Sequence, residues 1–169
     1  MSDGDLIDSS GPVVFKLRSP EVKIKLTDPA AKMPQYAKEG DAGADVFSIM
    51  EATIFPGETV LIDVGLTMEL PKGWECQVRS RSGLACKGIV CANSPGTVDE
   101  GYRGPIKVIL HNNKIPRLSA PGFAEPYKVA IGDKVAQLVF KPVSQASFTL
   151  VDSLAESQRG TGGLGSTGK

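Results

Sequence analysis

The feature that most constrains this chain is a recurrence. A short run rich in β-branched and apolar residues is followed by glycine, proline, asparagine or aspartate, and then the pattern starts again. Helical periodicity is nearly absent. The runs include residues 22–26 (VKIKL), 58–70 (ETVLIDVGLTMEL), 74–80 (WECQVRS), 89–92 (IVCA), 106–110 (IKVIL), 134–140 (KVAQLVF) and 146–151 (ASFTLV). Strands at this spacing, broken by turn residues, predict an all-β sandwich or barrel. The stretch 83–88 (GLACKG) is the best candidate for a helical turn, and it is short. Residues 1–21 read as a flexible lead-in, 22–152 as one β-domain and 153–169 as a glycine-rich arm. The segment 113–127 (NKIPRLSAPGFAEPY) holds three prolines and a glycine between two runs, so it reads as a long loop of the kind that is often functional or mobile.

Composition excludes several function classes. A chain of 169 residues can bury a real core, and 41% hydrophobic with 22% charged residues is ordinary for a globular protein. No apolar run approaches the ~20 residues that span a bilayer. Nineteen basic side chains balance nineteen acidic ones, with no concentrated basic footprint, so neither nucleic acid nor membrane is an expected partner. The opening MSDGDLIDSSG is acidic and polar, unlike a signal or transit peptide, which points to a cytoplasmic location. Cys76, Cys86 and Cys91 are odd in number and lack CxxC spacing, and the lone histidine, His111, is distant in sequence. That argues against a zinc site and against Ser-His-Asp or Cys-His catalysis.

Five segments combine glycine with charge in a way that packing does not require: 41–46 (DAGADV), 79–85 (RSRSGLA), 92–104 (ANSPGTVDEGYRG), 132–139 (GDKVAQLV) and 159–168 (RGTGGLGSTG). In the second, Arg81 offers a planar fork of donors suited to phosphate, Ser82 a hydroxyl and Gly83 close backbone approach. The third reads as a β-hairpin whose backbone could read the edge of a base. Within it Asp99 is a candidate general base or a structural turn aspartate, and Tyr102 could pack on a sugar or ring. In the last, Arg159 supplies charge, the glycines let backbone N–H groups wrap an anion, and Ser166 and Thr167 add hydroxyls. Residues 163–169 (GLGSTGK) imitate the start of a P-loop. No Ser or Thr follows the lysine and no helix can follow it here, so that reading fails.

Together and in this order, the five segments resemble the five motifs of the trimeric deoxyuridine triphosphate nucleotidohydrolases, the dUTPases, over about residues 22–168. The resemblance implies a jelly-roll-like β-barrel, a homotrimer with active sites shared between chains, and cleavage of dUTP to dUMP and pyrophosphate with Mg2+. It implies that Asp45 lies near the Mg2+-bound water shell, that Arg81, Ser82, Gly83 and Gln137 bind phosphates, and that Asn93, Gly96, Thr97 and Val98 read uracil. Asp99 would activate the attacking water, and Tyr102 would pack on deoxyribose and exclude a 2′-hydroxyl. Lys107 would line the nucleotide site, while Arg159, Leu164, Gly165, Ser166 and Thr167 would close over the nucleotide from a neighbouring chain.

Two departures from the family pattern stand out. Leu164 replaces the usual aromatic over the base, and the 113–127 segment is longer than the usual link, which raises the alternative of a regulatory protein that holds a partner through that loop. The related dCTP deaminases keep a glutamate at the position that is Ile109 here, which disfavours deamination.

Overall fold

The computed structural model describes residues 19–114 and 125–162. The strands are β1 (Lys23–Leu26), β2 (Ala44–Phe47), β3 (Ala52–Ile54), β4 (Thr59–Asp63), β5 (Leu66–Glu69) and β6 (Trp74–Arg79). A single turn of helix, α1 (Ser82–Ala85), precedes β7 (Ile89–Cys91), β8 (Gly96–Val98), β9 (Lys107–Asn112), β10 (Tyr127–Val129) and β11 (Lys134–Pro142). Every pairing is antiparallel: β1 with β5, β3 with β10, a four-stranded sheet β2-β11-β6-β8, and a three-stranded sheet β4-β9-β7. The all-β expectation is met.

Alternation explains which face each strand buries. In β6, Cys76 and Val78 are buried while Glu75, Gln77 and Arg79 face the other way; in β9, Val108, Leu110 and Asn112 are buried. These side chains meet Val46, Ile54, Ile62, Leu66, Ile89, Ile106 and Leu138 in one continuous core. Asn112 is the polar member. Its Nδ2 donates to the Ile54 carbonyl at 2.9 Å and its Oδ1 accepts from the Lys114 N–H at 3.1 Å, so burial leaves it satisfied.

The structure revises the pattern in three places. The 58–70 run is two strands, because the chain turns at Gly65 with φ 65°. A Cβ there would lie 2.8 Å from Ala31 Cβ, so both the angle and the space require glycine. The 146–151 run forms no strand: Phe148 and Leu150 are 95% and 99% exposed. Its β-propensity finds no partner edge among the described residues, and a strand without a ladder leaves its backbone groups to water. The helical turn begins at Ser82 rather than residue 83, and successive turns carry it to Gly88. Within the 113–127 segment, residues 115–124 lie outside the described residues, and Tyr127 already belongs to β10. Among the described residues, no helix is long and apolar enough to cross a membrane.

Candidate active site

Two groups of side chains form, flanking β6. The first gathers at one end of the four-stranded sheet. Asp45 on β2 is 3% exposed, yet it is surrounded by partners. Arg81 Nε lies 3.1 Å from its Oδ1, Lys134 Nζ 2.8 Å from its Oδ2, and Gln137 Nε2 donates to Oδ1 at 3.3 Å. Burial pushes the Asp45 carboxyl up, but the Lys134 hydrogen bond and the charges of Arg81 and Lys134 outweigh it and hold the group below the ordinary carboxylate value. Arg81 also donates from Nη1 to the Lys134 carbonyl at 2.9 Å, which fixes its fork. Ser82 and Gly83 are exposed on α1 immediately beyond it. Gly43 matters to this arrangement, because a Cβ there would sit 3.1 Å from the Gln137 side chain that leans over it.

The second group is the segment from β7 through β8 to β9. A cavity of about 300 Å³ is lined by Asn93, Gly96, Thr97, Val98, Asp99, Tyr102 and Lys107, all named from the sequence, and also by Leu61, Val78, Pro105, Ile106 and Ile109. Gly96 is buried against the Asn93 amide: a Cβ would fall 2.6 Å from Asn93 Nδ2. Tyr102 closes a turn by donating its N–H to the Asp99 carbonyl at 3.0 Å, and its hydroxyl donates to the Pro105 carbonyl at 3.1 Å. Asp99 stands on a ridge, since it and Thr97 also line a separate cavity beside Trp74 and Glu75. Lys107 lies 3.9 Å from Asp63 across the β4-β9 ladder.

Arg81, Ser82, Gln137 and Asp45 do not line the hairpin cavity, so within one chain the expected site residues fall into two separate groups. Arg159 joins neither group; its Nε donates to the Gly162 carbonyl at 3.2 Å within its own turn. Leu164, Gly165, Ser166 and Thr167 lie outside the described residues.

Sequence reasoning missed Lys134 for a physical reason. Lys134 and Gln137 are an odd number of residues apart and should face opposite ways along a regular strand. A register shift between Lys134 and Ala136 returns the lysine to the Gln137 side. Leu61, the cross-strand partner of Ile109, was missed because an apolar strand residue reads as core; it is in fact 56% exposed at the cavity.

A family model described as dUTPase matches residues 29–168. The chain belongs to the dUTPase family. Relatives described as deoxyuridine 5′-triphosphate nucleotidohydrolase agree. The Clostridium acetobutylicum protein is 51% identical over 148 residues, which is 87% of this chain and 96% of that one. The Thermobifida fusca protein is 44% identical over 96% of this chain and 86% of its own. A solved dUTPase of Staphylococcus bacteriophage 80alpha, a mutant described with dUpNHpp, superposes with a TM-score of 0.80 at 25% identity, covering 88% of this chain and 99% of that one. A phage phi11 dUTPase mutant, whose description concerns a structural Mg(II) ion, gives a TM-score of 0.72 at 25% identity, covering 80% and 99%. The fold is accordingly the jelly-roll-like β fold of the family.

The residues can be tested against Mg2+ directly. Among the described residues there is no group of three or more His, Cys, Asp or Glu side chains that could cage a metal. Asp45 accepts from Arg81, Gln137 and Lys134, which uses three of the roughly four acceptor positions of a carboxylate and leaves one toward water. Mg2+ keeps several waters and binds through one or two carboxylates plus substrate phosphates, so this donor set fits a phosphate-held ion and does not fit a protein cage.

Proposed function

We propose that this chain is a dUTP diphosphatase, which hydrolyses dUTP to dUMP and pyrophosphate and so keeps uracil out of DNA and supplies dUMP for thymidylate synthesis. The observation that carries the reading is the hairpin cavity, which gathers Asn93, Gly96, Thr97, Asp99 and Tyr102 in a member of this family. The Asn93 amide and the 96–99 backbone offer donors and acceptors in fixed order to the edge of uracil. Tyr102, held by Pro105, presents a ring to the deoxyribose and leaves no room for a 2′-hydroxyl. Asp99 orients a water and takes its proton as the oxygen attacks the α-phosphorus; the β- and γ-phosphates leave together as pyrophosphate. Arg81, Ser82 and Gln137 hold phosphates, and Asp45 keeps Arg81 aimed by its ion pair. Asp45 would face the water shell of a Mg2+ ion held mainly by the triphosphate, and that ion would supply charge neutralisation along the phosphates.

The separation of the two half-sites supports a homotrimer whose active sites are completed between copies. The unpaired 146–151 run, with Phe148 and Leu150 in water, supports the same reading, because such a run is stable once another copy covers it. Residues 153–169 act as the arm that closes over a neighbour's nucleotide, carrying Arg159 and the hydroxyls of Ser166 and Thr167. Deamination has no support here, since the cavity wall presents Ile109 where a deaminase has its glutamate.

Turnover assays on dUTP, dCTP and UTP, with sedimentation of the same sample, test the proposal. Pyrophosphate release from dUTP alone, by a trimer, is the expected outcome. Comparable kcat/KM for UTP would remove Tyr102 from sugar selection. Ammonia release from dCTP would overturn the hydrolase reading, and an active monomer would overturn the shared site.

A further inference from the structure

Across the four-stranded sheet, one row of residues runs from Asp45 on β2 to Gln137 on β11 to Arg79 on β6, each the register partner of the next. Register partners in an antiparallel pair point to the same face, so Arg79 stands beside Gln137 on the face that carries the phosphate half-site. Two residues on, Arg81 pairs with Asp45 at the head of the same row. The Gln137 side chain leans the other way, over Gly43 and toward Asp45, and makes no hydrogen bond to Arg79.

Arg79 is held ready rather than used up. Its Nε and Nη2 donate to Gln77 Oε1 at 3.0 and 2.5 Å, and Gln77 Nε2 in turn donates to Glu75 Oε1 at 2.6 Å. This chain along the outer face of β6 fixes the plane of the guanidinium. A guanidinium has five N–H donors, and Gln77 takes two; among the described residues Arg79 has no carboxylate partner and no other acceptor. A half-buried arginine oriented by a neutral amide, with its remaining donors free, suits a phosphate oxygen. The charge balance points the same way. Asp45 cancels one of its two cationic partners, Arg81 and Lys134, so the cluster retains a single positive charge. The triphosphate remains an anion even with Mg2+ bound.

We propose that Arg79 is a second phosphate-binding arginine of this site, aimed by Gln77 and Glu75, and that it grips the triphosphate beside Gln137. This rests on the dUTP reading above. It gives a role to the first residue of the 79–85 segment, of which the sequence assigned only Arg81, Ser82 and Gly83, and it separates dUTP from dUMP by a charge contact that the monophosphate product reaches less well.

The test is Arg79→Met, which keeps the length and apolar stem, alongside Arg79→Lys. Wild-type turnover of dUTP is measured first; its absence would sink the dUTP reading and not the Arg79 assignment, which binding of inorganic pyrophosphate to the wild-type and variant proteins reads independently. For Arg79→Met the expected result is a KM for dUTP raised about tenfold, pyrophosphate binding weakened by a similar factor, dUMP inhibition changed less than twofold, and an unchanged sedimentation coefficient. Loss of one charge-assisted hydrogen bond is worth about that factor. Arg79→Lys should recover part of the loss, and Gln77→Leu should reproduce a fraction of it by releasing the guanidinium. Pyrophosphate and dUTP binding within twofold of wild type would overturn the proposal. So would a KM effect that appears only with disassembly, since Arg79 would then be a subunit contact.

Discussion

Replacing Gly96 by alanine tests the hairpin cavity more sharply than removing any of its side chains. The backbone at Gly96 is not left-handed, so alanine meets no conformational penalty there. Its Cβ would nevertheless fall 2.6 Å from Asn93 Nδ2, 3.2 Å from Cγ and 3.3 Å from Oδ1. Non-bonded contacts relax near 3.5 Å, so the amide must retreat by about 0.9 Å. Asn93 is exposed and can move without disturbing the core, so Tm should fall by no more than a few degrees. The amide would then no longer meet a base edge. One donor and one acceptor lost, at about 1 kcal/mol each, amount to about 2 kcal/mol, or about 30-fold in kcat/KM. Because Asn93 binds ground state and transition state alike, the loss should fall on KM, with kcat nearly unchanged. Steady-state pyrophosphate release against dUTP concentration gives both constants, and a thermal melt controls for folding. A folded variant with kcat/KM within threefold of wild type would show that Asn93 does not read the base from this position.

Asp99→Asn should keep nucleotide binding and lose turnover by about 10²–10⁴-fold, read by single-turnover hydrolysis against titration with a non-hydrolysable dUTP analogue; near-normal turnover removes Asp99 from the mechanism. Deleting residues 159–169 should leave the melt unchanged and cripple catalysis, whereas Leu164→Phe should tighten analogue binding by up to about tenfold, the value of an aromatic contact. Burial pushes the Cys76 thiol up to about 12 and raises Cys91 as well, while Cys86 is exposed, so a thiol reagent at pH 8 should label one site per folded chain. The folded value of Cys76 lies above the unfolded value of about 8.5, so its contribution to stability is full below that pH and is lost as pH rises toward 12. The urea midpoint should fall across that window, and less so in Cys76→Ser; an equal fall in both would show that Cys76 is not its source.

Periodicity made most of the strands legible, because half-buried strands such as β6 and β9 alternate and advertise their buried face. What it could not show was geometry that breaks the period. The bulge ahead of Ala136 placed Lys134 beside Asp45, and no residue pattern marks a bulge of this kind. Strand β2 escaped notice because Ala44–Phe47 are all buried, giving no alternation to read. The hairpin residues were legible as a group, since they are contiguous and polar at positions a plain turn does not need. Leu61 was not, because the same side chain would serve equally well in a core. The 146–151 run was misread because propensity describes what a segment favours once paired and does not supply the pair.

If copies of this chain assemble as proposed above, that last segment bears on the life of a copy still on its own. From Val143 to Leu154 the polypeptide shows water an extended series of large apolar groups, among them Phe148, Leu150 and Leu154. A single copy therefore displays an exposed apolar stretch of the kind that chaperones bind, even though its core is complete. In the homotrimer proposed above, a sister chain would cover that stretch, and the time a copy spends with it exposed would then depend on expression level. On that reading, an orphan copy diluted below the concentration at which it meets others would keep this apolar run in water and be exposed to proteolysis, rather than accumulate as an idle protein.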